Sequence, residues 1–100
     1  MRRGSTPTQT FSCPYEAKDV AKTRVTYVQE NRQVLVKEGD ACILDGQYLH
    51  VKLSQEETLR FKAGVPCEAQ VRVLFKDGTS IPSSIVTFRV ERLLDDEVMK

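Results

Sequence analysis

The sequence predicts an all-β domain: an immunoglobulin-like antiparallel β-sandwich of about seven strands with one short helical turn. Three observations predict it. Short runs of alternating apolar and polar residues recur along the chain. Turn signals separate them at spacings of about eight to twelve residues. One helical turn precedes a penultimate strand. The clearest punctuation is Asp45-Gly46 and Asp77-Gly78. Asp-Gly suits a two-residue hairpin turn, because both central positions need positive φ. A five-stranded barrel is the competing architecture.

Taken in order, residues 1–7 are polar and basic, broken by Gly4 and Pro7, and read as a flexible arm. Residues 8–13 alternate as a first strand that Pro14 stops. Residues 16–20 connect, with room for a helical turn. Residues 23–30 form the first strong strand, with Val25 and Tyr27 on one face and Arg24 and Thr26 on the other. Asn31-Arg32 turns the chain and residues 33–38 return. Leu35 and the Val34/Val36 pair are all apolar, so periodicity leaves the buried face of this strand open. Gly39-Asp40 breaks it.

Residues 41–44 and 47–53 form the Asp45-Gly46 hairpin. Leu49, Val51 and Leu53 point inward; Tyr48, His50 and Lys52 point outward. Ser54-Gln55-Glu56-Glu57 fits a capping box, in which the Ser54 hydroxyl takes the Glu57 amide and the Glu57 carboxylate takes the Ser54 amide. A helical turn over 55–60 then places Leu59 and Phe61 on the core edge, and Gly64 ends it. Cys67, Ala69, Val71, Val73 and Phe75 alternate with Glu68, Gln70 and Arg72, which makes 67–75 the clearest strand and a central one. Pro82 lacks a donor and bars 81–84 from a regular central strand. Residues 85–92 resume pairing, with Val86, Phe88 and Val90 inward. Residues 93–100 hold Leu93, Leu94 and the acidic Asp95-Asp96-Glu97, a tail that frays or leads out of the fold.

One hundred residues make a single domain, 1–100. Such a chain buries roughly 60–65% of its unfolded surface, enough for one core without staples. With 15 basic and 14 acidic residues the formal charge is +1, so no global field draws in nucleic acid or an anionic membrane. No apolar run exceeds the four residues Ala41-Cys42-Ile43-Leu44, too short for a membrane helix or a signal-peptide core. Cys13, Cys42 and Cys67 are odd in number and lack metal-ligand spacing. Small free thiols, and hence a reducing compartment, are the expectation.

No residue stands out for catalysis, cofactor binding or metal binding. His50 is the single histidine, outward-facing, without Cys or Asp two residues away. Glu56 and Glu57 are adjacent and do not converge, and Glu57 has a capping role. Asp95-Asp96-Glu97 matches no calcium-loop spacing. No cysteine has a visible base, although His50 has the chemistry to approach one in space. Gly4, Gly39, Gly46, Gly64 and Gly78 are isolated turn glycines, not a phosphate cradle. Arg2-Arg3, Lys22, Arg24 and Lys37, with Tyr27 or Tyr48, would make a basic face for single-stranded nucleic acid if folding gathered them. An ordinary mixed-charge surface is the simpler reading.

The run Arg3-Gly4-Ser5-Thr6-Pro7-Thr8-Gln9-Thr10-Phe11 resembles the opening of small prophage-encoded proteins of Gram-positive gut bacteria. The likeness continues through Val25-Thr26-Tyr27-Val28-Gln29, Leu44-Asp45-Gly46 and Val51-Lys52-Leu53-Ser54-Gln55-Glu56-Glu57-Thr58-Leu59. It extends over Phe61-Lys62-Ala63-Gly64, Gln70-Val71-Arg72-Val73, Asp77-Gly78 and Leu94-Asp95-Asp96-Glu97-Val98. The opening is also similar, more distantly, to the N-terminal sandwich of phage baseplate upper proteins. The resemblance implies a non-enzymatic structural or interaction protein of the phage tail or baseplate. Its partners would be phage structural proteins or further copies of itself, with no nucleic acid, membrane, cofactor or small substrate. It would sit in the bacterial cytoplasm during expression and in the virion once assembled. The docking surfaces to consider are the arm at residues 2–8, the free edge strands and the tail at residues 95–100. The alternative is a small nucleic-acid-associated accessory protein of the phage.

Overall fold

The computed structural model describes residues 1–95 and 97–100. Among the described residues, eight strands form two antiparallel sheets. The strands are β1 (Thr8–Ser12), β2 (Val20–Gln29), β3 (Arg32–Glu38), β4 (Cys42–Asp45), β5 (Tyr48–Lys52), β6 (Cys67–Phe75), β7 (Ser80–Pro82) and β8 (Val86–Phe88). The smaller sheet runs β1-β5-β4 and the larger β3-β2-β6-β7, with β8 also on β6. In immunoglobulin lettering these orders are B-E-D and C′-C-F-G. Residues 1–3 take the place of the first strand, in a parallel bridge from Arg2 to Glu91. The strand order therefore makes this an immunoglobulin-like sandwich and excludes the five-stranded barrel.

The core lies where alternation predicts. Val25, Tyr27, Leu49, Val51, Leu53, Cys67, Ala69, Val71, Val73 and Val90 are all buried. Tyr27 is its centre. Its ring meets Phe11, Phe61 and Phe88 edge-on, with centroids 6.5, 5.7 and 6.2 Å away. Its hydroxyl donates to Gln9 Oε1 at 2.8 Å, so its polar end is satisfied at the sandwich wall.

The strand left open by periodicity is resolved by a bulge. Tyr27 pairs with Leu35 and Val28 with Gln33, so Val34 is the extra residue. Leu35 is buried, while Val34 and Val36 are half-buried.

The hairpin loops need one correction each. Asp45 pairs with Tyr48, so the first loop is Gly46-Gln47 rather than Asp45-Gly46. Gly46 at φ +61° takes the first central position, as a type II′ turn requires. The second loop has three residues: Phe75 donates to the Thr79 carbonyl, and Gly78 (φ +93°) donates to Phe75. The first hairpin turns at Glu30-Asn31, not Asn31-Arg32. Gln29 pairs with Arg32, and both loop residues have positive φ, the type I′ geometry.

Two more expectations change. The arm at residues 1–7 is docked, not free: Glu91 N–H donates to the Met1 carbonyl, Arg3 N–H to Glu91, and Leu53 N–H to Pro7. Gly4 sits at φ +78°, which side-chain-bearing residues rarely adopt, and an added Cβ would lie 2.5 Å from the tip of the Leu93 side chain and force it to move. Val86, expected inward, is 48% exposed. It faces the same side as its partner Ala69, but the three-stranded sheet does not cover this edge.

Between β5 and β6 lies the helical turn α1 (Gln55–Thr58), and both arms of its capping box are formed. Phe61 is buried and Leu59 half-buried, as expected. Thr58, fully buried and not anticipated, donates its hydroxyl to the Ser5 carbonyl at 2.9 Å.

Candidate functional site

The ladders place His50 at the middle of the outer face of the small sheet, with Thr10 on one side and Ile43 on the other. Thr10 Oγ1 is 2.9 Å from His50 Nδ1. Asp45 Oδ2 lies 3.6 Å from His50 Nε2, beyond hydrogen-bond reach. A hydroxyl, an imidazole and a carboxylate in a row have the order of a nucleophile, its base and the group that orients the base. The environment is wrong for that chemistry. The trio lies on an open sheet face, and the Asp45 side chain is 79% exposed. Water screens such charges, whereas acyl-transfer sites aim preorganised donors into a dry pocket. What the Thr10 contact achieves is to hold the imidazole against β1. Sequence reasoning missed the trio because two ladder registers assemble it; the visible signal was that Thr10, Asp45 and His50 all fall on outward positions.

Of the basic-face candidates, Lys22 and Arg24 share the outer face of β2, but neither tyrosine joins them. Tyr27 is buried in the core and offers no stacking platform. Arg2 is paired with Glu91 at 2.6 Å, and Lys37 is held by both oxygens of Glu57 at 2.8 and 2.9 Å. Arg24 and Lys22 lie on β2, in the larger sheet, and Tyr48 on β5, in the smaller one.

Glu57 ties β3 to α1. It caps the Ser54 amide at 2.9 Å while gripping Lys37. Burial by itself would raise its pKa, but the hydrogen bonds from Lys37 and Ser54 outweigh it and hold the carboxyl below its ordinary range. Glu56 does not share this setting; it is exposed.

All three cysteines are free thiols, Cys13 and Cys67 buried and Cys42 half-buried. Burial raises each thiol, Cys67 to about 11. A thiol pushed up in this way is a poor nucleophile at neutral pH. Among the described residues no group of three or more His, Cys, Asp or Glu could hold a metal ion, and no helix is long and apolar enough to cross a membrane.

The proposed docking surfaces differ in character. The arm is consumed by its own domain. The tail is tied down at one point, where the Gln55 side-chain amide donates to the Met99 carbonyl and accepts from its N–H. Asp96 lies outside the described residues. The most apolar exposed edge is the broken outer strand of the large sheet, which presents Ile81, Ile85 and Val86. Beside it a hollow of about 320 Å³ opens between the sheets, walled by Pro14, Tyr15, Ile81 and Pro82 among others.

No protein-family model and no curated protein matches this chain. A solved structure of the V domain of amphioxus IgVJ-C2 aligns over 93% of this chain and 97% of that one, at 9% identity and a TM-score of 0.36. The fold assignment rests on the strand order and registers above.

Proposed function

We propose that this chain is a non-enzymatic structural or interaction protein of a phage or prophage particle, in its tail or baseplate region, and that it works by docking protein surfaces. The observation that carries the docking reading is the apolar rim of Ile81, Ile85 and Val86 on an interrupted outer strand. Unpaired edges and exposed apolar patches are what proteins use to join other chains. Pro82 blunts this edge without covering it. The phage assignment is supported by the sequence likeness that begins at residues 3–11 and recurs to residue 98. On this reading the partners are phage structural proteins or further copies of the chain, and the protein is made in the bacterial cytoplasm and retained in the assembled particle. Nucleic acid, membranes, cofactors and small substrates have no part in it.

Light scattering over a concentration series, paired with filter binding to single-stranded DNA, tests the reading. The expected result is a concentration-dependent oligomer that retains no DNA at physiological salt. A strict monomer that binds single-stranded DNA at roughly micromolar concentration, with steep salt dependence, would favour the nucleic-acid accessory reading instead.

A further inference from the structure

The outer face of the large sheet carries an unresolved charge conflict. Arg24 on β2 and Arg72 on β6 stand directly opposite each other in the ladder. Lys22, opposite Leu74, lies beside them. Like charges directly opposite weaken a sheet. One carboxylate answers the three cations: Glu38 accepts from Arg24 Nε at 2.7 Å. Among the described residues, neither Lys22 nor Arg72 has an ion-pair partner. Between these cations is a shallow hollow of about 170 Å³, lined by Lys22, Thr23, Arg24, Arg72, Leu74 and Ser80. It is too small for a cofactor or drug-sized ligand, which takes roughly 300 Å³ or more. An apolar side chain flanked by carboxylates would fit its shape and charge.

The chain itself carries such a group. Leu94 is 89% exposed, more than any other large hydrophobic residue described. Asp95 follows it, then Glu97 two positions on, and neither meets a cation among the described residues. The segment is held on both sides, by Glu91 in the bridge to Arg2 and by Met99 on Gln55. Leu94 thus stands exposed between two anchored points, Glu91 and Met99, which lowers the ordering cost of docking it.

We propose that the hollow at Lys22, Arg24, Arg72 and Leu74 receives Leu94, Asp95 and Glu97 of a second copy. The inference goes beyond the docking function proposed above, which rests on the rim at Ile81, Ile85 and Val86, and concerns a different surface of the chain. Leu94 would pack on Leu74, and the carboxylates would meet Lys22 and Arg72. The contact joins two different surfaces, so it is head-to-tail and builds rings or open filaments rather than a two-fold dimer.

Sedimentation velocity on the full chain tests this with one variant on each side: Arg72→Glu on the face and Leu94→Ser/Glu97→Lys on the tail. All three residues are at the surface or half-exposed to it, and circular dichroism verifies that each variant folds. Each variant should lose on the order of tenfold or more in self-association, and added salt should weaken the wild type. Mixing the two variants should restore one interface, because the intact face of the tail variant meets the intact tail of the face variant. The product should be a dimer that grows no further. Lys22→Glu is the substitute should Arg72→Glu fold poorly. An Arg72→Glu protein that assembles like the wild type, or a mixture that stays monomeric, overturns the proposal while leaving the docking function standing. A wild-type chain that never associates with itself also overturns the proposal, and leaves other phage structural proteins as the partners of the docking function.

Discussion

Strand β6 has two flanks, and they are built differently. On one side β2 runs beside it from Val20 to Val28, with a single irregularity between Val20 and Lys22. On the other, β7 and β8 each contribute three residue pairs and leave a gap between them. On the β2 side inward residues are sealed: Val25, Tyr27, Val71 and Val73 are buried. On the broken side the inward-facing Ile81 and Val86 remain exposed, although they sit opposite Val73 and Ala69. The backbone does not pay for the gap with an orphaned donor. Ser83 fills it, accepting the Val71 amide on its hydroxyl at 3.0 Å and returning its own amide to the Val71 carbonyl at 2.7 Å. The contrast separates two roles of one strand. The β2 flank supplies stability, and the broken flank keeps apolar surface accessible without leaving buried polar groups unmet.

Substitutions on the two flanks should differ accordingly. The largest effect belongs to Tyr27→Ala, which removes the ring shared by Phe11, Phe61 and Phe88 and should cost about 3–5 kcal/mol in denaturant unfolding. A loss below that range would mean the sealed flank is not the centre of the core. Next, Val73→Ala should cost about 1–3 kcal/mol. Val86→Ala, on the open flank, should stay within about 0.5 kcal/mol, and so should Arg72→Ala. Equal losses at Val73 and Arg72 would reverse the register and with it the contrast.

Ser83→Ala probes the gap itself. It leaves the Val71 amide without an acceptor and should cost about 1–3 kcal/mol, more than Ser84→Ala. If the two serines behave alike, the gap is simply open to water.

A further effect is one of pH, and it asks whether the core stays dry next to the broken flank. Cys67 pairs with Phe88 on that side, and burial raises its thiol from 9.0 to about 11. The unfolded chain therefore ionises first. The contribution of this thiol to stability is intact below pH 9.0 and is lost as pH rises through about 11. Cys67→Ala should flatten the alkaline limb of a stability–pH profile. An unchanged limb would mean water already reaches the sulfur.

The features that were legible in the sequence were local and periodic. The alternation in residues 67–75 identified β6, and Ser54 with Glu57 identified the capping box, because each pattern is complete within a few residues. The turn frames slipped by one residue. Asp45-Gly46 and Asn31-Arg32 look like turn pairs, but the ladder decides which two residues are central, and a ladder is a long-range property. Val34 is an apolar residue like its neighbours, and nothing in its chemistry marks it as the bulge. The docked arm is held by backbone hydrogen bonds together with the Arg2–Glu91 pair and the Thr58–Ser5 bond, to partners distant in sequence, so no local pattern announces them. The surface features were the least legible. The trio at Thr10, Asp45 and His50 and the opposed Arg24 and Arg72 come from strands that the sequence could identify but not align.

The inner side of the sandwich is packed and buried, and on the proposed contact one outer face and the tail dock to another copy. Backbone amide chemical shifts, followed by NMR across a dilution series, test it most directly. The account predicts concentration-dependent shifts at Lys22, Arg24, Arg72 and Leu74 together with Leu94, Asp95 and Glu97, while Val25, Tyr27, Leu49 and Val51 stay still. Spectra that do not change with concentration, or changes centred instead on Ile43, Tyr48 and His50, would contradict it.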